Sequence, residues 1–562
     1  MAAIEASIHV PRRAALGHHV TWWALDLGTR NTALARWEAG AAAPRLVRLP
    51  RLARDEDPLG TGPEAVVPTA VEVAPQTGWP SVLARLPPFR DALTWGREGY
   101  IGQRAVERNA TWPGAAFASR FKDALLHAPL RPVARAAGRT WSAREVARIY
   151  LRELLAEAQR VTLERPRQLV VTAPVDAFEP YRAEVGALLE GLGVQAIRWV
   201  DEPVAAAIGY GVSATRPTRV LVVDWGAGSL DVVHVALDAH AVQDGRATVH
   251  GKVGRPLGGD RVDAWLLDAT VRRAGGRAPT DRFLERWLLE EARRVKEALS
   301  LRDREPFLLA PPEGHRDALA LGETTVEWSR DALVDLLREG GALGALSDTV
   351  DEVLRGDPEP DEVLVVGGST LLPGVRDALV ERFGEHRVRT WHPFAAVALG
   401  AAQLGGTGFA PEDHVVHDYA IVVHDPRTGA REHAVVVPAG TRFPTAPDLW
   451  RDRLVPTCAH GQPERHFKLV VAEIGQRREE TPFTWDGTGT LHRLPEGEPL
   501  VVPLNESDPV LGRLEPPHDP DDPGPRLEVS FGVDADRWLV ATVRDLRTGR
   551  LLLDRRPVVR LL

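Results

Sequence analysis

Two stretches of this sequence set an aspartate at the end of an apolar strand, two residues before a glycine. They are WALDLGTRNT, beginning at Trp23, and LVVDWGAGSLD, beginning at Leu221. One such turn alone is ordinary, because aspartate caps its own backbone at many β-turns. A pair constrains more. Facing each other across a cleft, the backbone N–H groups of two such turns can cradle phosphates, while Asp26 and Asp224 hold a magnesium ion through its waters. A third glycine turn, EVLVVGGSTLLPGV from Glu362, ends another strand and opens a helix, where a positive helix end and missing side chains suit a nucleotide. The pattern predicts two α/β lobes with a nucleotide between them.

Length and composition narrow the class. A chain of 562 residues is too long for one core, so several units are expected. With 44% hydrophobic residues, 26% charged residues and a net charge of -9, it has no basic excess to recruit nucleic acid or anionic lipid. Its longest apolar runs are strand-sized, shorter than the roughly 20 residues of a membrane helix. The first twenty residues lack the continuous apolar segment of a secretory signal and read as a tail. The single cysteine, Cys458, excludes an internal disulfide framework, and the reading is cytoplasmic. Four lysines, Lys122, Lys252, Lys296 and Lys468, stand among 69 basic residues, so a lysine at a special position carries information.

From Trp22 to about Leu404, short β-branched runs alternate with helical-period segments, the pattern of α/β layers. From about Val415 the runs become strands parted by Pro, Gly and Asp, an all-β unit. GGTGFAPEDH between them is Gly/Pro-rich and reads as a linker. The expected boundaries are a tail over 1–20, a two-lobed domain over 21–406, a linker over 407–418 and a β-sandwich over 419–562.

The order of motifs resembles the 70-kilodalton heat-shock chaperone family, within the actin-like (RNase H-like) superfold. WALDLGTRNT and LVVDWGAGSLDVV look like that family's two phosphate turns, VVTAPVDAFEPYRAEV its interlobe proline segment, and RWVDEPVAAAIGYG its first connecting helix. GRPLGGDRVD looks like the glycine loop, ARRVKEALS the adenine-side helix, VLVVGGSTLLPGV the adenosine turn and HPFAAVALGAA the second connecting helix. AVVVPAGTRFPT and RLEVSFGVDADRWLVATVRDLRTG resemble strands of the chaperone's peptide-binding sandwich, and the family's helical lid is expected to be missing.

The resemblance implies site residues. Asp26 and Asp224 would hold hydrated magnesium, Glu202 would orient the attacking water, and Asp231 would position the nucleophile. Gly28, Thr29, Arg30, Asn31, Gly226, Ala227, Gly228, Ser229, Gly258, Gly259, Gly367, Gly368 and Ser369 would surround phosphates and sugar. Lys296 and Ser300 would face the adenosine of ATP or ADP. Pro174 and Arg182 would relay nucleotide state to the β domain, where Phe467 is nominated as facing a peptide groove. Aligned on its Phe-Ala pair, FASRFK puts Arg120 at the family's catalytic lysine, with Lys122 two residues on. Arg is a planar fork rather than a compact ammonium, so hydrolysis would slow or be lost. Arg30 and Ala227, replacing smaller residues, are expected to crowd the phosphates. Leu371 and Phe394 depart from the family at the base.

The resemblance also implies extended polypeptide segments as ligands, and a J-domain co-chaperone and a nucleotide-exchange factor as partners. Two readings follow: an ATP-driven chaperone, or a nucleotide-gated scaffold that binds ATP with little hydrolysis and docks one protein. A sugar kinase on the same superfold is disfavoured because it leaves the β domain without a role.

Overall fold

The computed structural model describes residues 21–561 except 39–40, 42, 55–65, 75–97, 112–113, 176, 178, 212–216, 238–246, 277–278, 280–281, 310–323, 391–392, 408–413, 425–429, 459–462, 476–482, 486–490, 494–499, 507–508 and 535–536. The expected tail and residues 408–413, half of the expected linker, lie outside the described residues.

The elements that position the site begin with β1 (Trp22–Leu27), β2 (Asn31–Trp37), β3 (Arg45–Leu46), β4 (Val66–Pro68), helix α1 (Phe121–His127), β5 (Gln168–Ala173), β6 (Ala196–Asp201) and α2 (Glu202–Gly211). They continue with β7 (Thr218–Trp225), β8 (Leu230–Leu237), β9 (Ala247–Arg255), α3 (Gly259–Arg273), α4 (Arg282–Leu301), β10 (Glu362–Val366), β11 (Val388–Thr390) and α5 (Ala396–Thr407).

The first sheet runs β6-β5-β1-β2-β3, with β4 also on β2, and the second runs β9-β8-β7-β10-β11. Each begins with an antiparallel hairpin, β1/β2 or β7/β8, and continues on the other side with parallel strands, β5 and β6 or β10 and β11. The central strands β1 and β7 are mostly apolar and mostly buried, as strands covered on both faces are. The repeated strand order is the structural form of the sequence echo: Asp26 and Asp224 each stand one residue before the end of the equivalent strand.

Each sheet buries its own cluster on one face, around Trp23, Phe121 and Tyr150 in the first and Trp225, Trp328 and Phe307 in the second. A third cluster lies between the sheets, where α2 and α5 bring alanines and valines against Ala24, Ala33, Val220 and Val222. The helices cross so closely that a Cβ on Gly400 would stand 1.7 Å from the Ala205 carbonyl oxygen. Only glycine allows that approach.

Beyond α5 the described residues form strands. β12 (Asp418–His424), β13 (Arg431–Val437), β14 (Trp450–Leu454), β15 (Glu464–Leu469), β16 (Val471–Gly475), β17 (Leu500–Pro503), β18 (Val510–His518), β19 (Leu527–Val533), β20 (Trp538–Asp545) and β21 (Leu551–Arg560) make two four-stranded sheets, β13-β12-β16-β17 and β14-β19-β20-β21, and a β15/β18 ribbon. Both sheets feed one apolar core that includes Tyr419, Val471, Phe531 and Val543. Phe467 belongs to that core: it is 6% exposed and lies over Gly512 of the facing strand. The groove-facing reading is corrected accordingly; alternation along β15 turns Phe467 and Leu469 inward and Lys468 outward.

Of the linker, Val415 is buried in the β-domain core, while the neighbouring Val416 packs on the cluster between the two α/β sheets. Val415 is pinned by backbone bonds, its N–H donating to Thr441 and its carbonyl accepting from Gly440.

Candidate active site

The loops that follow β1, β7 and β10 meet in the cleft between the two sheets. Thr29 of the first turn touches Gly228 of the second, where a Cβ on Gly228 would come within 2.7 Å of Thr29 Oγ1. The Gly226 carbonyl accepts from Gly259 N–H (3.1 Å) and from Ser369 Oγ (2.7 Å), and Ala227 accepts from Asp260 N–H (2.9 Å). The turn at 226–229, the loop at Gly258–Gly259 and the turn at Gly367–Ser369 are thus one bonded unit. Gly258 abuts the Ala227 carbonyl, and Gly367, at φ +83°, would drive a Cβ to 2.6 Å from Asp224 Oδ1. Gly28 is held as tightly, against the Asn31 carbonyl, and Gly368 lies under the Phe394 ring. These close approaches are why small residues occupy the turns.

Carboxylates concentrate beneath them. Asp26 accepts from Thr172 Oγ1 at 2.9 Å. Burial, with Glu202 adding repulsion, raises its pKa to about 7, although Lys122 and the Thr172 bond pull the other way. Asp224 is raised well above the carboxylate range by burial and then by Glu202 and Asp26. Such carboxyls resist ionising until a cation arrives, which is the chemistry of a metal-assisted phosphate site. Among the described residues, no three His, Cys, Asp or Glu side chains converge to hold a metal directly. Asp231, facing Asp224 across the β7/β8 hairpin, accepts from Val175 N–H (3.0 Å) and Ser229 Oγ (2.6 Å), and so ties the segment after Pro174 to the second turn.

The cation in this cluster is Lys122. It is 2% exposed and its Nζ donates to Glu202 Oε1 at 2.9 Å. Burial alone would lower its pKa, but Glu202, Tyr181 and Asp26 hold it above the usual lysine value. Arg120 instead pairs with Asp260 Oδ2 at 2.8 Å. Lys122, not Arg120, is thus the cation that stands against Glu202. Helix α1 starts at Phe121, so Lys122 enters its first turn and points inward while Arg120 stays at the N-cap. The signal was available in the scarcity of lysine.

Arg30 also departs from expectation. Its side chain leaves the turn and crosses to the second half, where its Nε donates to Asp260 at 2.7 Å and its Nη1 to Glu290 at 3.0 Å. Lys296 Nζ donates to the Gly259 carbonyl (2.8 Å) and stands 2.6 Å from Asp263, so its head supports the glycine loop. Ser300 donates to its own helix, at the Lys296 carbonyl. Arg182 pairs with Asp201 (2.9 Å), which also holds Lys252 (2.6 Å). These three line a cavity with Val415, His417 and Glu473, at the junction with the β domain. Thr172, Asp260, Glu290, Asp201 and Lys252 were not legible as site residues in the sequence.

Residues 127–422 match the family model described as Hsp70 protein, more than half of the chain. The chain belongs to the Hsp70 family. Among its curated Hsp70 relatives, it is 26% identical over 428 residues to chaperone protein DnaK of Thermus thermophilus, covering 74% of this chain and 63% of that protein. It is 28% identical over 435 residues to chaperone protein DnaK 3 of a Synechococcus species, covering 73% and 59%. The chain therefore spans about six-tenths of the length of these relatives. No helix among the described residues is long and apolar enough to cross a membrane.

Proposed function

We propose that this Hsp70-family chain binds ATP with magnesium in the cleft and couples binding and hydrolysis to the grip of its β domain on extended polypeptide segments. The α/β part, 21–406, is then a two-lobed actin-like nucleotide-binding domain, joined by 407–418 to a β-sandwich over 419–562. The observation that carries the reading is the convergence of Asp26, Asp224, Glu202 and Lys122 beneath three interlocked glycine turns. Relatives named as chaperone proteins support it.

The geometry supports the following roles. Phosphoryl transfer asks mainly for positioning and charge neutralisation. Asp26 and Asp224 would hold magnesium through its waters, and the ion when bound supplies neutralising charge at the phosphates. Thr29, Gly228 and the backbone of 226–229 would cradle the phosphates. Lys122 fixes the Glu202 carboxylate, so that Glu202 can orient a water. Asp231, clamped by Val175 and Ser229, orders the second turn from below. Pro174 precedes the Val175 contact, and Arg182 ends in the cavity behind Val415, so both lie on a physical route from turn to linker. J-domain and nucleotide-exchange partners are the regulators this reading would engage.

A fluorescent, apolar extended peptide bound to the full chain tests the coupling. ATP should speed its release several-fold, and the nonhydrolysable analogue should do the same. Release indifferent to ATP would remove the coupling and leave the scaffold reading, in which the chain binds ATP with little or no hydrolysis and docks one fixed protein partner.

A further inference from the structure

Arg30 is 7% exposed, and its backbone carbonyl, accepting from Thr69 N–H, is fixed in the first phosphate turn. Its guanidinium meets acids that all belong to the other half of the cleft: Asp260 and Asp263 of α3 (2.7 and 3.7 Å) and Glu290 of α4 (3.0 Å). Arg120, also from the first half, takes the second oxygen of Asp260. Burial opposes charge at Asp260, yet Arg120 and Arg30 hold its carboxyl well below the usual carboxylate range. Asp260 in turn is bonded through its N–H to Ala227 of the second phosphate turn.

From this continuous link, first turn to Arg30 to Asp260 to second turn, we infer that Arg30 is an electrostatic clamp that holds the two phosphate turns together and limits how fast a nucleotide leaves. The inference rests on the nucleotide reading of the cleft. Opening the cleft separates buried, mutually compensated charges, and stripping one partner from such a group is far costlier than parting a surface pair. Once parted, the charges meet water and salt, so release is expected to quicken with ionic strength.

The test follows release of a fluorescent ADP analogue from the full chain, beside backbone hydrogen exchange over 226–229 and 258–262 in nucleotide-free protein. Arg30→Thr should speed release ~10-fold or more, and Glu290→Gln, which keeps the side-chain shape, should speed it by a smaller factor. Salt should accelerate release from wild type and have little effect in Arg30→Thr. Exchange at both segments should quicken in both variants. Unchanged release and unchanged exchange in folded variants would overturn the clamp. If wild type binds no analogue, the nucleotide reading fails, and the exchange comparison alone decides whether the clamp exists.

Discussion

Lys122 and Arg120 lie two positions apart and divide the cations of the cleft between them. Lys122 bonds Glu202 and is felt by Asp26, whereas Arg120 answers Asp260. Lys122→Ala should lower single-turnover ATP hydrolysis by ~100-fold or more, the scale on which a preorganised charge acts, and Arg120→Ala should lower it much less. Equal losses in the two variants would return the catalytic role to Arg120. The raised carboxyls carry a pH prediction. Native Asp26 keeps its proton to about pH 7 while an unfolded aspartate loses it near 3.8, so the native state binds more protons between those values. Stability of the nucleotide-free protein therefore falls as pH rises through that window. Asp26→Asn, a neutral isostere, should raise the unfolding midpoint, and by more at pH 8 than at pH 5, in calorimetry without magnesium. The aspartates and glycines of the turns were legible because chemistry ties residue type to position. Lys122 was not placed, because a two-residue shift at a helix start cannot be read without knowing where the helix begins.

At the level of elements, α2 and α5 pack between the two sheets through a seam rich in alanine and valine. Gly400→Ala would press a methyl against the Ala205 carbonyl and should cost about 1–3 kcal/mol, read as a lowered denaturant midpoint. An unchanged midpoint would mean that the helices can slide apart. Phe467→Ala belongs to the same scale. As a core side chain in the β domain it should cost about 3–5 kcal/mol of that domain's stability. If the folded variant loses peptide affinity while its stability holds, the groove-facing reading returns. The sequence pattern announced alternating α/β elements and a later run of strands, and both are present. Which face of β15 turns inward was not legible, since a period of two serves either face until the partner strand is known.

Across the whole molecule, the repeated strand order places equivalent aspartates at equivalent strand ends, and the linker valines divide, Val415 into the β core and Val416 onto the α/β core. The duplication was faintly legible in two D-x-G turns. The acids Asp260 and Glu290 that meet Arg30 were not, because a helix-start aspartate and a mid-helix glutamate look like solvated charges until the first turn is set against them. Val416→Asp should uncouple the domains: peptide release should no longer respond to ATP, while ATP affinity of the cleft stays within about twofold of wild type, since the substitution lies outside the cleft. Asp26 and Asp224 with the three turns are proposed to form a working ATP site, which is checked by titrating the full chain with magnesium and ATP and following one turnover in wild type and Asp224→Asn. Saturable binding and measurable hydrolysis are expected in wild type, with turnover at least ~100-fold slower in the variant. Identical background rates in the two proteins would contradict it.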